Sequence, residues 1–377
     1  MSDTSAPAPA RRRVKPAQVV AFAFGLVIVV LIFTLAIPRF ADYQAVWRAM
    51  KTLTPIEFWS LMAVMVFNLY TYWLANQAGL IGMSLGQSAV LTQTSTTVAN
   101  TLPAGGALAI GMTAAMLNSW GFTAGEITLF VGVTGIWNIF AKLGMPLIAL
   151  VLLVLTGHTS PGLVTAALIG AVVLVVAVTL LVLVFRSERL ARKVGDGVGR
   201  AGSALLRLFR KGPIEGMGER TAKFRRETII LAKRRWFMLT WTTVLSQVAL
   251  FFVLLLTLRH MSVAEAQVPA VEAFAVYAFS RLLSAIPITP GGVGVIDLGY
   301  IAGLTAFDSQ EKAQIVAAVL IFRVLTYGIQ IPIGILTYVF WRRKRSWWRV
   351  TPPPGSIAAE LDASHTDGPA ASQVELA

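Results

Sequence analysis

Residues 281–300 read RLLSAIPITPGGVGVIDLGY. An apolar, helix-like run from Ala273 to Ile286 is broken by Pro287, Pro290 and the adjacent Gly291 and Gly292, and a second apolar run starts at Val293. Proline withdraws a helix donor and glycine weakens the turn around it, so the pattern predicts a helix that stops and restarts. At membrane depth, freed backbone is tolerated only where protein covers it or where it lines a cavity, which makes this break a candidate site. The restarted helix offers free N–H groups whose positive partial charge suits a phosphate or carboxylate. Arg281 precedes the break and Asp297 follows it, so an anion held there would also meet a cation.

Composition fixes the surroundings. A chain of 377 residues that is 56% hydrophobic and only 13% charged is a polytopic, all-α membrane protein. Its net charge of +14 is concentrated: 24 of the 32 Lys and Arg fall in the N-terminal tail, residues 186–235 and residues 342–349. Placing these blocks on one side satisfies the positive-inside rule and predicts a multi-pass protein of the cell membrane, in a bacterium the plasma membrane, with both termini cytoplasmic. Anionic membrane lipids are then the expected partners. No nucleic acid is expected, because no platform of interleaved aromatic and basic residues accompanies the charge. The chain has no cysteine, and His158, His260 and His365 are scattered, so no metal and no cofactor are expected.

Five segments are expected: a disordered basic tail (1–16), a first membrane half (17–185), a basic connector (186–236), a second membrane half (237–341) and a disordered cytoplasmic tail (342–377). The first half opens with an anchor span over 19–37, followed by spans over 55–79, 126–155 and 161–185. Between them, residues 85–117 are Thr-rich and broken at Pro103, Gly105 and Gly106. An arm of about 15 residues covers roughly 22 Å of a core of about 30 Å, which favours a re-entrant hairpin. In the connector, Leu190, Val194, Val198, Ala201, Leu205 and Leu208 recur at helical spacing and predict a helix lying on the inner leaflet. Spans over 236–258 and 312–340 flank the second break.

The run PITPGGVGVID, residues 287–297, resembles the P-x-T-P-G-G-x-G-x-x-E signature of the lysylphosphatidylglycerol synthase transmembrane-region family. That family includes the lipid-flipping half of the multiple peptide resistance factor. The resemblance covers roughly residues 17–345 and is specific around this motif. It implies a flippase fold and activity. The usual glutamate of the signature is Asp297 here, one methylene shorter. The tail beyond Arg349 is too short for an aminoacyl-transfer domain like the one fused to the flippase half in the synthases.

An internal repeat supports the same architecture. A shift of 186 positions lays Gly105 and Gly106 on Gly291 and Gly292, and Pro146 on Pro332. Counting crossings from a cytoplasmic N-terminus, the two broken hairpins open from opposite sides, so the halves are expected to be inverted-topology repeats with a substrate site near the midplane.

Few charges are embedded. Arg323 falls near mid-depth, where an arginine costs roughly 2.5–3.5 kcal/mol unless paired or wetted. Arg281, Arg323 and Lys142 form the candidate cationic cluster, with Asp297 as counter-charge; Arg281 and Arg323 also match arginines that recur in the resembled family. Thr289, Pro290, Gly291, Gly292 and Gly294 would line the second break, and Asn100, Gly105 and Gly106 the first. The alternative role for the charges is an internal ion pair of Asp297 with Arg281 or Arg323 that only locks helices together. The function expected is a non-enzymatic lipid transporter or flippase that moves an anionic phospholipid or polyprenyl-phosphate-linked lipid between leaflets. The rival expectation is a membrane-embedded enzyme, or an accessory subunit, of a lipid-linked glycan or cell-envelope pathway. A homo-oligomer or a cell-envelope enzyme partner stays open.

Overall fold

A computed structural model describes residues 43–102, 105–157, 186–208, 216–284, 290–307, 312–349, 351–356 and 359, with scattered positions between 165 and 183. The anchor span over 19–37, most of the span over 161–185, Pro103 and Thr289 lie outside the described residues. Every regular element among those described is helical. Among the described residues, four stretches are long and apolar enough to cross a membrane: Pro55–Gly79, Ala124–Leu155, Arg234–His260 and Lys312–Arg343.

A short amphipathic α1 (Tyr43–Met50) precedes the first crossing helix, α2 (Pro55–Gly79). Two shorter arms follow, α3 (Leu85–Thr101) and α4 (Gly105–Ser119), and then the long α5 (Ala124–Leu155). Local sequence sets these starts. Thr54 with Glu57, Ser84 with Gln87, and Thr123 with Glu126 each form a reciprocal capping box that satisfies two free N–H groups at a helix entrance.

The connector is a helical hairpin rather than a single helix followed by a span. Its first arm, α6 (Glu188–Leu208), packs along the start of α7 (Met217–His260), which runs without interruption from the basic connector into the apolar segment. Two glycines of α6, Gly195 and Gly199, lie in the seam. Ala191, Gly195, Gly199 and Ser203 are buried at four-residue spacing, and a Cβ on Gly195 would meet the Met217 carbonyl and Gly218. The larger stripe expected to face the leaflet is offset from this seam, and its Val194 is exposed.

The second half is built of shorter pieces. Helix α8 (Ala270–Leu283) is followed by a 3-10 turn (Pro290–Gly292), α9 (Val295–Phe307), α10 (Lys312–Arg323), a π turn (Val324–Gly328) and α11 (Gln330–Arg343). The last crossing is thus one helix with a wide turn in its middle. Pro332 has no N–H to offer the carbonyl of Gly328, and the Ile329 N–H instead reaches back to Val324 O at 2.8 Å. Helices α2 and α7 pack along each other, α3 packs on α11, and α8 packs on α5.

The tail is not disordered from residue 342, as expected, but packed as far as Ser356, which is fully buried. The reason is aromatic. Trp347 meets Trp120 and Phe340 edge-on, Trp348 stacks on Trp341, and Trp341 Nε1 donates to Ser119 Oγ at 3.0 Å. The Arg349 N–H donates to Ser119 O, and Ser356 lies against Gly82. In the sequence these tryptophans sit inside a basic run, whose charge dominates its reading.

Candidate functional site

The two breaks meet. The turn at Pro290–Gly292 packs against α3, and Tyr327 of the π turn donates its hydroxyl proton to Asn100 O at 2.7 Å. Beneath this junction lies a polar cavity of about 220 Å³. Helix α3 contributes Thr92, Gln93, Thr96 and Asn100; the second half contributes Arg281, Gly291, Arg323, Thr326, Tyr327 and Gln330; Tyr72 of α2 closes one wall. Ligand pockets for drug-sized molecules span about 300–1,000 Å³, so this space suits a head-group fragment and not a whole lipid.

Seam contacts between α3 and α11 hold the cavity open at one side. Thr97 Oγ1 donates to Gln330 O at 2.9 Å, and Thr94 and Thr337 share a hydroxyl contact at 3.0 Å. Gly334 permits this approach, since a Cβ there would strike Thr97 and the Gln93 carbonyl.

The two arginines differ. Arg323 is committed: its Nε lies 2.5 Å from Asp297 Oδ1, its Nη2 donates to Gly291 O at 3.3 Å, and its guanidinium sits 4.9 Å from the Tyr327 ring centroid. Asp297 is almost fully buried and accepts the Gly294 N–H on Oδ2 at 2.7 Å, acting as the third residue of α9 reaching back to its cap. It stands behind Arg323 and does not line the cavity. The ion pair weighed as a helix lock is therefore present, with Arg323 as its cation.

Arg281 has no carboxylate partner among the described residues. Its Nε is buried without a hydrogen-bond partner among the described residues. The groups that act on it electrostatically are the tyrosines Tyr72, Tyr277 and Tyr300, together with the cation Lys142, and none is a carboxylate. Gln93 is also buried, and neither its Nε2 nor its Oε1 has a partner among the described residues. A buried guanidinium Nε and a buried amide that lack partners, on two side chains lining one cavity, are costly unless a ligand or water meets them. Together they supply donors for an anionic oxygen.

The remaining expected residues divide. Gly291, Gly292 and Gly294 all adopt positive φ, and a Cβ on Gly291 would run into the Tyr327 ring. Pro290 opens the turn. Gly105 packs tightly on the Ala99 carbonyl, whereas a Cβ on Gly106 would meet open space. Lys142 is half-buried and influences Arg281 without lining the cavity. The residues missed from sequence are Tyr72, Gln93, Tyr327 and Gln330. Each is a polar residue inside an apolar helix, and only Gln93, amid the Thr-rich run, lay close to a recognised motif.

A search of curated proteins finds no match to this chain. A family model described as the lysylphosphatidylglycerol synthase TM region matches residues 19–334, a stretch that takes in both breaks, both arginines and the cavity they line, and the chain belongs to that family.

Proposed function

We propose that this protein is a carrier for an anionic lipid: the phosphate of the head group occupies the cavity at Arg281, while the hydrocarbon stays in the bilayer and the molecule passes between leaflets. The observation that carries this reading is Arg281, which lines the cavity with its Nε buried and without a hydrogen-bond partner among the described residues. Arginine so placed is expensive unless a partner arrives, and Gln93 offers a second set of unpaired atoms beside it. Asp297 is already held by Arg323 and Gly294, so the reading assigns it to the frame and not to acid–base chemistry.

The same reading takes the two halves as inverted repeats with re-entrant hairpins. Support comes from the reciprocal packing of α3 on α11 and α8 on α5, and from arms of 17, 15, 14 and 13 residues, all short for a crossing of about 20 residues. Its orientation, with both termini in the cytoplasm, rests on the basic blocks.

The test is leaflet accessibility in proteoliposomes of the purified chain, offered head-group-labelled anionic phospholipids and a polyprenyl phosphate. Accelerated movement of one lipid, lost in Arg281→Ala while the protein stays folded, is the expected result. Equal movement by the variant overturns the phosphate site, and a chemically altered lipid in place of a moved one makes the protein an enzyme.

A further inference from the structure

A second cavity, of about 520 Å³, lies between α5, α7 and α8. Its walls are apolar, built from Phe140, Met145, Ile148, Val244, Val248 and Phe274. Ile148, Val244 and Val248 are exposed on its outer side, so the groove opens laterally toward surrounding hydrocarbon. One group in it does not belong in oil. Gln247 lines the groove, is 3% exposed, and its Nε2 has no hydrogen-bond partner among the described residues.

Neighbours orient the amide. The Tyr277 hydroxyl donates to Gln247 O at 2.8 Å and lies 3.2 Å from Gln247 Oε1, while the Nε2 end of the amide, also buried, has no partner among the described residues. Tyr277 is also within hydrogen-bonding reach of the Arg281 guanidinium. A polar path of Gln247, Tyr277 and Arg281 therefore joins the floor of the apolar groove to the head-group cavity.

Depth narrows the occupant. Gln247 is central in the Arg234–His260 segment, about 20 Å from either end at 1.5 Å per residue. Resting bilayer lipids keep their oxygens at the interface, outside a hydrocarbon core of about 30 Å. An acceptor reaches Gln247 only on a lipid drawn inward with its head group.

We propose that this groove seats the chains of the carried lipid and that Gln247 Nε2 donates to a carbonyl oxygen of its ester linkages, so the site selects ester-linked diacyl lipids over prenyl phosphates, which have no such carbonyl. This rests on the carrier reading for the head group but concerns a separate set of residues.

The experiment uses the full chain in vesicles with two photoreactive anionic lipids of identical head group and chain length, one ester-linked and one ether-linked, each with a diazirine in the chain. Labelled peptides are mapped by mass spectrometry. The ester probe is expected to label α5 and α7 peptides lining the groove about two- to tenfold more than the ether probe, the range a single hydrogen bond supports. Gln247→Leu, which keeps the backbone carbonyl that Tyr277 bonds, is expected to equalise them. Equal labelling by both probes in the native chain overturns the proposal, as does labelling confined to other surfaces, or cross-links at Val248 to a second copy or to residues 158–185. Translocation is measured in parallel. Ester-selective labelling in a chain that moves no lipid leaves the groove assignment standing and removes the carrier reading. Movement without selectivity does the reverse.

Discussion

The two breaks share a frame and differ in chemistry. At the second, backbone is held by charge: Asp297 takes the Gly294 N–H and the Arg323 guanidinium, and Arg323 in turn holds Gly291 O. At the first, neutral groups do the same work, with Asn100 O accepting from Tyr327 and Thr101 bonding its own helix. The cavity between them inherits the difference, taking both cations from the second half and neutral amide and hydroxyl groups from α3. An anion bound there would be neutralised by one half and shaped by the other.

Breaking the charged side is expected to have the largest effect. Asp297→Leu leaves Arg323 buried without its carboxylate, and loss of one partner from a buried pair costs about 3–5 kcal/mol. Asp297→Leu with Arg323→Met is expected to recover most of that stability in thermal unfolding, yet to remain impaired in transport, because Arg323 also lines the cavity. Recovery of transport by the double variant would reduce the pair to a helix lock.

Arg281→Ala probes the other cation. It removes a buried cation and leaves no carboxylate unpaired, so thermal stability is expected to hold or rise while lipid movement falls about 10- to 100-fold, the loss of one charge-assisted hydrogen bond. A stability loss matching the activity loss would instead make Arg281 structural.

Glycines sharpen the comparison at smaller scale. Gly291→Ala forces a left-handed residue into the Tyr327 ring and is expected to cost about 1–3 kcal/mol. Gly106→Ala, at its counterpart hairpin, meets open space and is expected to be neutral or slightly stabilising. Equal effects would contradict the difference between the breaks.

The smallest effect lies outside the membrane. Glu188 bonds Arg192 at 2.8 Å and lies 3.3 Å from Arg226 of α7; the Arg192 hydrogen bond, with Arg192, Arg226 and Arg225 nearby, holds its carboxyl below the usual range. A depressed carboxylate stabilises the fold above its unfolded pKa and loses that contribution as pH falls through its folded value. Glu188→Gln is therefore expected to loosen α6 slightly at neutral pH, read by hydrogen exchange, and to match the native chain in acid.

Much of this was legible in the sequence. Prolines and glycines announced both breaks, hydropathy announced the crossings, and expensive charges announced Arg281 and Arg323. Three features escaped for physical reasons. The π turn follows from Pro332 acting on a carbonyl four residues earlier, which a single-residue reading does not weigh. Gln93 and Tyr327 are unremarkable alone and gain meaning only when α3 meets α11. The seam of α6 uses small residues, so a search for large apolar ones selected its other face.

The tryptophan contacts after α11 have a mechanical consequence. By tying Trp341, Trp347 and Arg349 to Trp120 and Ser119, they rivet the base of the α3–α4 hairpin to the end of the last crossing helix. Hairpin and helix end therefore share one base, and neither is free to shift without the other.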